Sequence, residues 1–235
     1  MSDPVTINRL YGRSKGKALR TTQTALVADL LPQIAVPLDG PVTAESLFGD
    51  ARPLHFEIGF GGGEHMAARA DMLPDHGFIG CEPFLNGVAQ ALTHVAASVG
   101  GDASKPGLPN VRIHHGDALD VLRRVPDGAL TMAYLLHPDP WPKARHAKRR
   151  MMNDGPIDLI AAKIKQGGEL RFGTDHPVYV AHAMMVMRRH RHQFIWLANS
   201  ADDMLNRPGG WSETRYEAKA RLQGHEVWYF RYRRL

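Results

Sequence analysis

Four carboxylates in this sequence each follow an apolar run of the kind that forms a buried strand. Glu57 lies in FEIGFGGG, Glu82 in GCEP, Asp117 in HHGDA and Asp139 in HPDPW. Glycines follow the first of them at 59 and 61–63, and they let the backbone approach a ligand where a Cβ would clash. If the runs are parallel strands, the acids meet at one edge of a sheet, where ligands bind. Such a row of negative side chains suits a ligand that carries positive charge.

Two cofactor classes compete for this glycine loop. A nicotinamide fingerprint, G-x-G-x-x-G, would need glycine where the chain has Glu64, and Glu57 would lie beside a pyrophosphate. S-adenosylmethionine (SAM) has no phosphate; it carries a sulfonium, an ammonium, a ribose diol and an adenine. Glu82 can accept both ribose hydroxyl protons, and Asp117 can reach the adenine amine. The pattern predicts a SAM site whose glycine contacts are Gly59 and Gly61.

The fourth acid lies in a proline-rich turn within LLHPDPWPKARHAKRR, residues 135–150. Asp139 between two prolines has little backbone freedom, so its carboxylate is positioned before substrate binds. Guanine N7 needs no base, because it presents a bare lone pair, and a carboxylate would stabilise the cationic product. An exocyclic amine is the alternative acceptor. Adenine-N6 enzymes use an Asn/Asp-Pro-Pro-aromatic turn here, and this chain lacks the second proline before Trp141.

Positive charge is concentrated in three stretches: the N-terminal 20 residues, residues 143–150 and residues 188–192. The formal net charge is +5 and the pI is near 9.5. Together the three clusters favour a surface that follows phosphates. We expect these residues after the turn to bind the RNA backbone: Lys143, Arg145, Lys148, Arg149 and Arg150. Trp141 could stack on the base, although a core position is the more common use of an isolated tryptophan.

The composition is that of an ordinary globular protein, with 43% hydrophobic and 23% charged residues in 235. The single cysteine, Cys81, excludes an intrachain disulfide and a Cys-based zinc cluster, which fits the cytoplasm. No signal-peptide region and no membrane-length apolar run are present. The 13 histidines include no H-E-x-x-H-like spacing, so we expect no metal. Both a monomer and a homodimer are compatible with the sequence.

Apolar runs alternate with helix-like segments, which indicates parallel strands with helices on both faces. The predicted strands are 53–60, 77–83, 111–118, 129–136, 169–175, 193–199 and 227–234. Gly167-Gly168 is predicted to end the helix before the fifth strand. A polar loop, 200–226, joins the last two strands, so the final strand is expected antiparallel at a sheet edge. The prediction is one doubly wound, Rossmann-like α/β domain over 21–235, with a basic N-terminal extension over 1–20.

The chain resembles the bacterial tRNA (guanine-N7-)-methyltransferases from about Tyr11 to its C-terminus. The shared stretches are YGRSKGKAL, FEIGFGGGEH, GCEPFLNGV, GDALDVL, HPDPWPKARHAKRR, FGTDHPVYV and TRYEAKARLQGHEVW. The resemblance implies a class I SAM-dependent methyltransferase fold, a seven-stranded mostly parallel sheet, and the variable-loop guanine of tRNA as substrate. It implies cofactor contacts at Glu57, Glu82 and Asp117, with Asp139 catalytic and beside the cofactor. It implies guanine contacts at Lys143, Asp175, Thr214, Arg215, Tyr216 and Glu217.

The sequence departs from this family at a few positions. His137 occupies a place that is usually aromatic or apolar, and we expect it to be packed and neutral at the strand end, with no catalytic role. The family's T-K-F-E is here T-R-Y-E, residues 214–217. The spacing of Thr214 and Glu217 also fits a capping box that begins a short helix. The loop 200–226 is therefore a flexible connector or, as the resemblance favours, an acceptor-side lid.

Two other function classes remain open from the sequence. One is a methyltransferase for a small molecule or a protein, and the other is a non-catalytic RNA-binding relic of the fold. The three basic clusters argue against a small acceptor, and the intact set of acids with Asp139 argues against a relic.

Overall fold

The computed structural model describes residues 16–97 and 107–235. Within these ranges seven strands form one sheet: β1 (Leu54–Ile58), β2 (Gly77–Cys81), β3 (Val111–His114), β4 (Leu130–Leu136), β5 (Ile164–Thr174), β6 (Phe194–Trp196) and β7 (Trp228–Arg234). Their order is β3-β2-β1-β4-β5-β7-β6. The first five strands are parallel, and β7 is antiparallel to β5 and β6. The predicted seven-stranded, mostly parallel sheet is confirmed.

Helices cover both faces of this sheet, as predicted for a doubly wound fold. They are α1 (Thr21–Asp29), α2 (Leu31–Ile34), α3 (Ala44–Phe48), α4 (Glu64–Met72), α5 (Leu85–Ala97), α6 (Ala118–Leu122), α7 (Asp154–Lys163), α8 (Pro177–Arg189), α9 (Asp202–Leu205) and α10 (Arg215–Leu222). Buried side chains of α6, α7 and α8 form one apolar cluster with the sheet, which includes Val121 and Ile160. Those of α2, α4 and α5 form another, which includes Ala70 and Val88.

Three sequence-based expectations about the C-terminal half are wrong. The last strand is antiparallel as expected, but it lies between β5 and β6, so the three-residue β6 is the edge strand. The segment 200–226 is not only a loop, because it contains α9 and α10. The helix before β5 ends at Lys163, because Ile164 already has extended dihedrals; Gly167 (φ 78°) and Gly168 lie inside the strand.

The register of the parallel strands brings the predicted acids to one edge. All five residues of β1 and of β2 are buried, as expected for strands covered on both faces. Ile58 pairs with Cys81, and Cys81 pairs with His114, so three strands end level with one another. The residues that follow these strand ends therefore share one rim of the sheet.

The N-terminal extension is only partly covered by the structure, because residues 1–15 lie outside the described part. Residues 16–20 precede α1, and the carbonyl of Lys17 accepts a hydrogen bond from the Asn86 side chain on α5 (2.7 Å). Across residues 16–97 and 107–235, no helix is both long and apolar enough to span a bilayer.

Candidate active site

The loop after β1 follows a path that only glycine adopts easily. Gly59, Gly61 and Gly63 have φ values of 66°, 59° and 79°, in the left-handed region where a Cβ costs free energy. Glu57 precedes the loop and is buried, and its carboxylate accepts a hydrogen bond from His65 Nδ1 on α4 (2.7 Å). This pair fixes the base of the loop from the sheet side.

Glu82 follows β2 and faces the glycine loop. Its Oε2 accepts a hydrogen bond from the backbone N–H of Gly61 (2.8 Å), and its Oε1 accepts one from Phe84 N–H (2.9 Å). Burial raises the pKa of Glu82, the two backbone donors oppose that effect, and the negative charge of Asp139 adds to it. The carboxylate is thus held in one orientation while each oxygen keeps a free lone pair for a hydroxyl donor.

Asp117 follows β3 and begins α6. Its side chain caps the helix by accepting a hydrogen bond from Leu119 N–H (2.9 Å), which is the usual role of aspartate at this position. The adjacent Gly116 N–H donates to the carbonyl of Glu82 (3.2 Å). Asp117 is half-buried beside the Glu82 strand end. The second and third acids are therefore neighbours at the rim.

The fourth acid lies in a strained turn after β4. His137 and Trp141 have φ values of 50° and 42°, which are uncommon for residues other than glycine, and they flank Asp139 on either side. The backbone N–H of His137 donates to the carbonyl of Gly173 on β5 (2.8 Å). Asp139 is accessible at the rim, and the protein around its other side removes enough water to raise the pKa of its carboxyl.

Arg150, which the sequence predicts to bind RNA phosphates, holds the far end of this turn. Its side chain is buried, with Nε donating to the Pro140 carbonyl (2.9 Å) and a terminal nitrogen donating to the Trp141 carbonyl (2.8 Å). Its guanidinium also lies 5.8 Å from the centre of the Tyr179 ring. Both accepting carbonyls follow Asp139 directly, so Arg150 is a structural brace of the turn.

The other basic residues of this stretch differ in exposure. Lys143, Arg145 and Lys148 are exposed on or beside a 3-10 helix, Ala144–Arg149, where phosphates could reach them. Arg149 is half-buried with its guanidinium 4.9 Å from the centre of the Trp141 ring. Trp141 is itself half-buried and belongs to none of the three apolar clusters found among the described residues, so the core interpretation is wrong.

The N-terminus of α10 covers the glycine loop from the other side. Thr214 is buried and caps the helix by accepting from Glu217 N–H (3.1 Å), which is one half of the capping box that the spacing indicates. The exposed Tyr216 places its ring so close to Gly61 that a Cβ there would be 2.8 Å from Cε2. Arg215 lies 3.6 Å from Glu64. Burial raises the pKa of Glu82, and the positive charge of Arg215 partly opposes that effect. Tyr216 and Arg215 therefore border the cofactor side of the site.

Glu217 is fully buried and does not open into the site. Its Oε1 accepts hydrogen bonds from Arg207 Nε (2.8 Å) and from the hydroxyl of Tyr229. Trp211, also buried, packs edge-on against Tyr229 with ring centres 5.3 Å apart. In this conformation Glu217 contacts its own fold instead of presenting an edge to a base. It fixes α10, and with it Tyr216, against the sheet.

Asp175 follows β5 and completes the rim. Its Oδ1 lies 3.7 Å from Nδ1 of the buried His137, and its Oδ2 lies 3.3 Å from Nδ1 of the exposed His225. Burial lowers the pKa of His137, while the charges of Asp175 and then Glu217 partly oppose that effect. His137 is thus packed at the strand end and neutral near pH 7, as expected.

Two residues that organise the site, His65 and Arg207, were not singled out from the sequence, and Arg150 was predicted only as a phosphate contact. His65 follows the glycine loop in GGGEH, eight positions after its partner Glu57. The available signal was the position of the two residues, one at the end of a predicted strand and the other at the start of the helix that follows it. Nothing in the sequence distinguishes Arg150 from the other basic residues of 143–150, and Arg207 lies in a segment that was predicted to be a loop. Within the described ranges, no group of three or more His, Cys, Asp or Glu side chains could hold a metal ion.

Comparison with known proteins shows the family of the chain. A family model described as "Putative methyltransferase" matches residues 51–230. The tRNA (guanine-N(7)-)-methyltransferase of Sphingopyxis alaskensis is 78% identical over 232 residues, which cover 99% of this chain and 97% of that protein. The protein of the same name from Novosphingobium aromaticivorans is 75% identical over 233 residues, with the same coverage. The chain belongs to the tRNA (guanine-N(7)-)-methyltransferase family.

The solved structures agree on the fold. The 16S rRNA methyltransferase KamB matches with a TM-score of 0.54 at 13% identity, covering 83% of this chain and 94% of that chain. At this identity the likeness shows a shared class I methyltransferase fold. In members of that fold, the ligand site lies outside the carboxyl ends of the parallel strands, which is where Glu82, Asp117 and Asp139 lie here.

Proposed function

We propose that the protein transfers the methyl group of S-adenosylmethionine to N7 of a guanine in the variable loop of tRNA. The observation that carries the proposal is the arrangement of two acids on one rim of the sheet. Glu82 is fixed against the glycine loop by Gly61 N–H, and Asp139 lies on the strained turn after β4, near enough for its negative charge to add to the effect of burial on the pKa of Glu82. The rim would thus offer one carboxylate to a diol and a second carboxylate to the acceptor. The names of the curated relatives support tRNA guanine as the acceptor.

The donor set of the pocket fits this cofactor. Glu82 offers one free lone pair on each oxygen, as a ribose diol requires, and the backbone at Gly59 is open, since a Cβ there would meet nothing within 4 Å. Asp117 has one oxygen committed to Leu119 and one available for an amine. When bound, S-adenosylmethionine supplies a methyl group on a positively charged sulfur, which accepts electrons without a metal.

The residues of this chain would mainly position and stabilise. Asp139 would lie beside the base, and its negative charge would stabilise the ring as it becomes cationic. Because guanine N7 carries no proton, no side chain needs to act as a general base. Tyr216 and Arg215 would close the pocket over the glycine loop, and Lys143, Arg145 and Lys148 would hold flanking phosphates. A tRNA substrate would place the reaction in the cytoplasm.

The direct test is nucleotide-resolution mapping. Purified protein with labelled S-adenosylmethionine is expected to methylate unmodified tRNA, and chemical cleavage at 7-methylguanosine is expected at one variable-loop position. Label on adenine would favour an exocyclic amine acceptor instead, and an unlabelled tRNA would reject the proposal.

Two variants assign the roles within the site. Asp139→Asn is expected to lose turnover while S-adenosylmethionine binding largely survives, whereas Glu82→Ala is expected to weaken binding of the cofactor itself. If both variants changed only tRNA affinity, the site assignment would be wrong.

A further inference from the structure

His137 is a buried polar side chain in the middle of the proposed acceptor site. Its imidazole is 3% exposed, and neither ring nitrogen has a hydrogen-bond partner among the described residues. A neutral imidazole carries one N–H donor and one lone pair, and leaving such a donor unpaired in the interior is unfavourable. This buried polar side chain therefore requires an explanation.

The acceptor nearest to His137 is the carboxylate of Asp175. Nδ1 and Oδ1 are 3.7 Å apart, which exceeds the usual N–H···O range of about 2.7–3.2 Å by roughly half an ångström. The other nearby carboxylate, Glu217, accepts hydrogen bonds from Arg207 and Tyr229 through Oε1, and its buried Oε2 has no partner among the described residues; unlike Asp175, it does not lie within ion-pair distance of His137. Asp175 is the acceptor that a small movement would bring within reach.

The two partners differ in freedom, which decides which one moves. His137 is fixed by its backbone hydrogen bond to Gly173, and a Cβ on that glycine would lie 3.0 Å from Trp211 and 3.9 Å from the His137 ring. Asp175 follows the end of β5, is partly exposed, and is drawn outward by the exposed His225, 3.3 Å from its Oδ2. An approach of Asp175 towards His137 would move its carboxylate into the site.

We propose that His137 is a positioning residue for the acceptor guanine: its Nδ1–H donates to Asp175 when the base binds, and this orients the carboxylate towards the guanine N1–H and amino edge. The inference rests on the proposed function. Guanine presents two adjacent donors that match one carboxylate, and adenine lacks the N1–H. A neutral donor also suits this place, because a cationic side chain would oppose the positive charge that develops on the ring.

Matched variants of His137 separate a hydrogen-bonding role from a packing role. His137→Asn keeps an N–H donor near the position of Nδ1 and tolerates the left-handed backbone, whereas His137→Phe and His137→Met fill the space without a donor. We expect the donorless variants to lose about tenfold or more in kcat on tRNA, and His137→Asn to stay within about threefold of the unchanged protein. KM for tRNA is expected to change little, because phosphate contacts dominate its affinity while base alignment governs turnover.

A double-mutant cycle with Asp175→Ala tests the pair itself. The loss caused by His137→Phe is expected to disappear in the Asp175→Ala background, because the donor then has nothing to orient. The inference is refuted if donorless variants turn over normally, if His137→Asn loses as much as they do, or if the two losses multiply. Melting temperature and S-adenosylmethionine affinity, measured on every variant, identify a variant that fails to fold, and His137→Met then replaces His137→Phe. If the unchanged protein makes no 7-methylguanosine, the proposed function fails; if it does and the pair is uncoupled, only this inference fails.

Discussion

Arg150 offers the sharpest test of how the catalytic turn is built. The conservative change Arg150→Lys keeps the positive charge but loses the planar fork that reaches both the Pro140 and the Trp141 carbonyls. A lysine ammonium can reach at most one of these acceptors in the same space. The turn that carries Asp139 would then have one unsupported end.

The expected size of the effect follows from the contacts. A hydrogen bond to a charged group contributes about 1.5–3 kcal/mol, and the left-handed backbone at Trp141 costs on the order of 1–2 kcal/mol. Loss of one such bond is therefore comparable to the strain that it offsets. We expect the correctly formed turn to become less populated by roughly 10- to 100-fold. The cofactor acid Glu82 is fixed by backbone donors elsewhere, so S-adenosylmethionine affinity should hardly change.

The assay compares Arg150→Lys with Lys148→Ala, an exposed basic residue of the same stretch. Single-turnover rates at saturating tRNA and the salt dependence of tRNA binding are measured for both. Arg150→Lys is expected to lower the rate by about 10- to 100-fold with an unchanged salt slope. Lys148→Ala is expected to leave the rate near normal and to reduce the salt slope by about 0.7–0.9, the contribution of one phosphate contact. A normal rate and a reduced slope in Arg150→Lys would show that Arg150 binds phosphate after all.

Three further changes test other parts of the site. Gly61→Ala and Gly59→Ala both place a methyl group at positive φ, but only the methyl group at position 61 would meet the Tyr216 ring. We therefore expect the two variants to have similar melting temperatures. Only Gly61→Ala is expected to lower the methylation rate, by at least tenfold. Burial raises the pKa of Glu82 above its ordinary 4.5, so cofactor affinity, measured by calorimetry, should fall as the pH decreases towards that raised pKa. Glu82→Gln should show no such fall. In the cofactor-free protein the same protonation should increase the free energy of unfolding as the pH decreases, because the folded state binds the proton more tightly than the unfolded state. Glu217→Gln should destabilise the fold by about 1.5–3 kcal/mol in urea unfolding, because Arg207 then keeps only its more exposed charged partner, Glu213; an unchanged midpoint would contradict the bracing role.

The acids and the sheet were predictable because both follow from short-range patterns. An apolar run of five residues followed by glycine or by an acid identifies a parallel strand and its carboxyl end, and parallel pairing then brings those ends together. Glu82 and Asp117 lie where this reasoning places them. Their chemical suitability follows from residue type alone, so no distant contact is required to predict it.

The segment after β6 could not be predicted in the same way, because its order comes from distant partners. α10 has no continuous apolar stripe, and the cap at Thr214 is the only local signal that it begins there. Its position depends on Glu217, which pairs with Arg207 ten residues earlier and Tyr229 twelve residues later. The order of β6 and β7 is equally non-local, since a three-residue strand carries too little pattern to show that it is the edge.

The row of acids also raises an energetic question, because like charges gathered at one rim repel one another. Hydrogen-bond donors offset part of this repulsion at three of the four acids: His65 at Glu57, backbone amides at Glu82, and Leu119 N–H at Asp117. Asp139 is different, because burial raises its pKa and, in the part of the chain that the structure describes, neither a donor nor a cation offsets that effect. Unfavourable free energy therefore remains on the carboxylate of the strained turn, as it also does on Glu82, whose pKa burial raises. A positive charge arriving at, or developing beside, Asp139 relieves it, which is the electrostatic condition that methyl transfer to a neutral purine nitrogen requires.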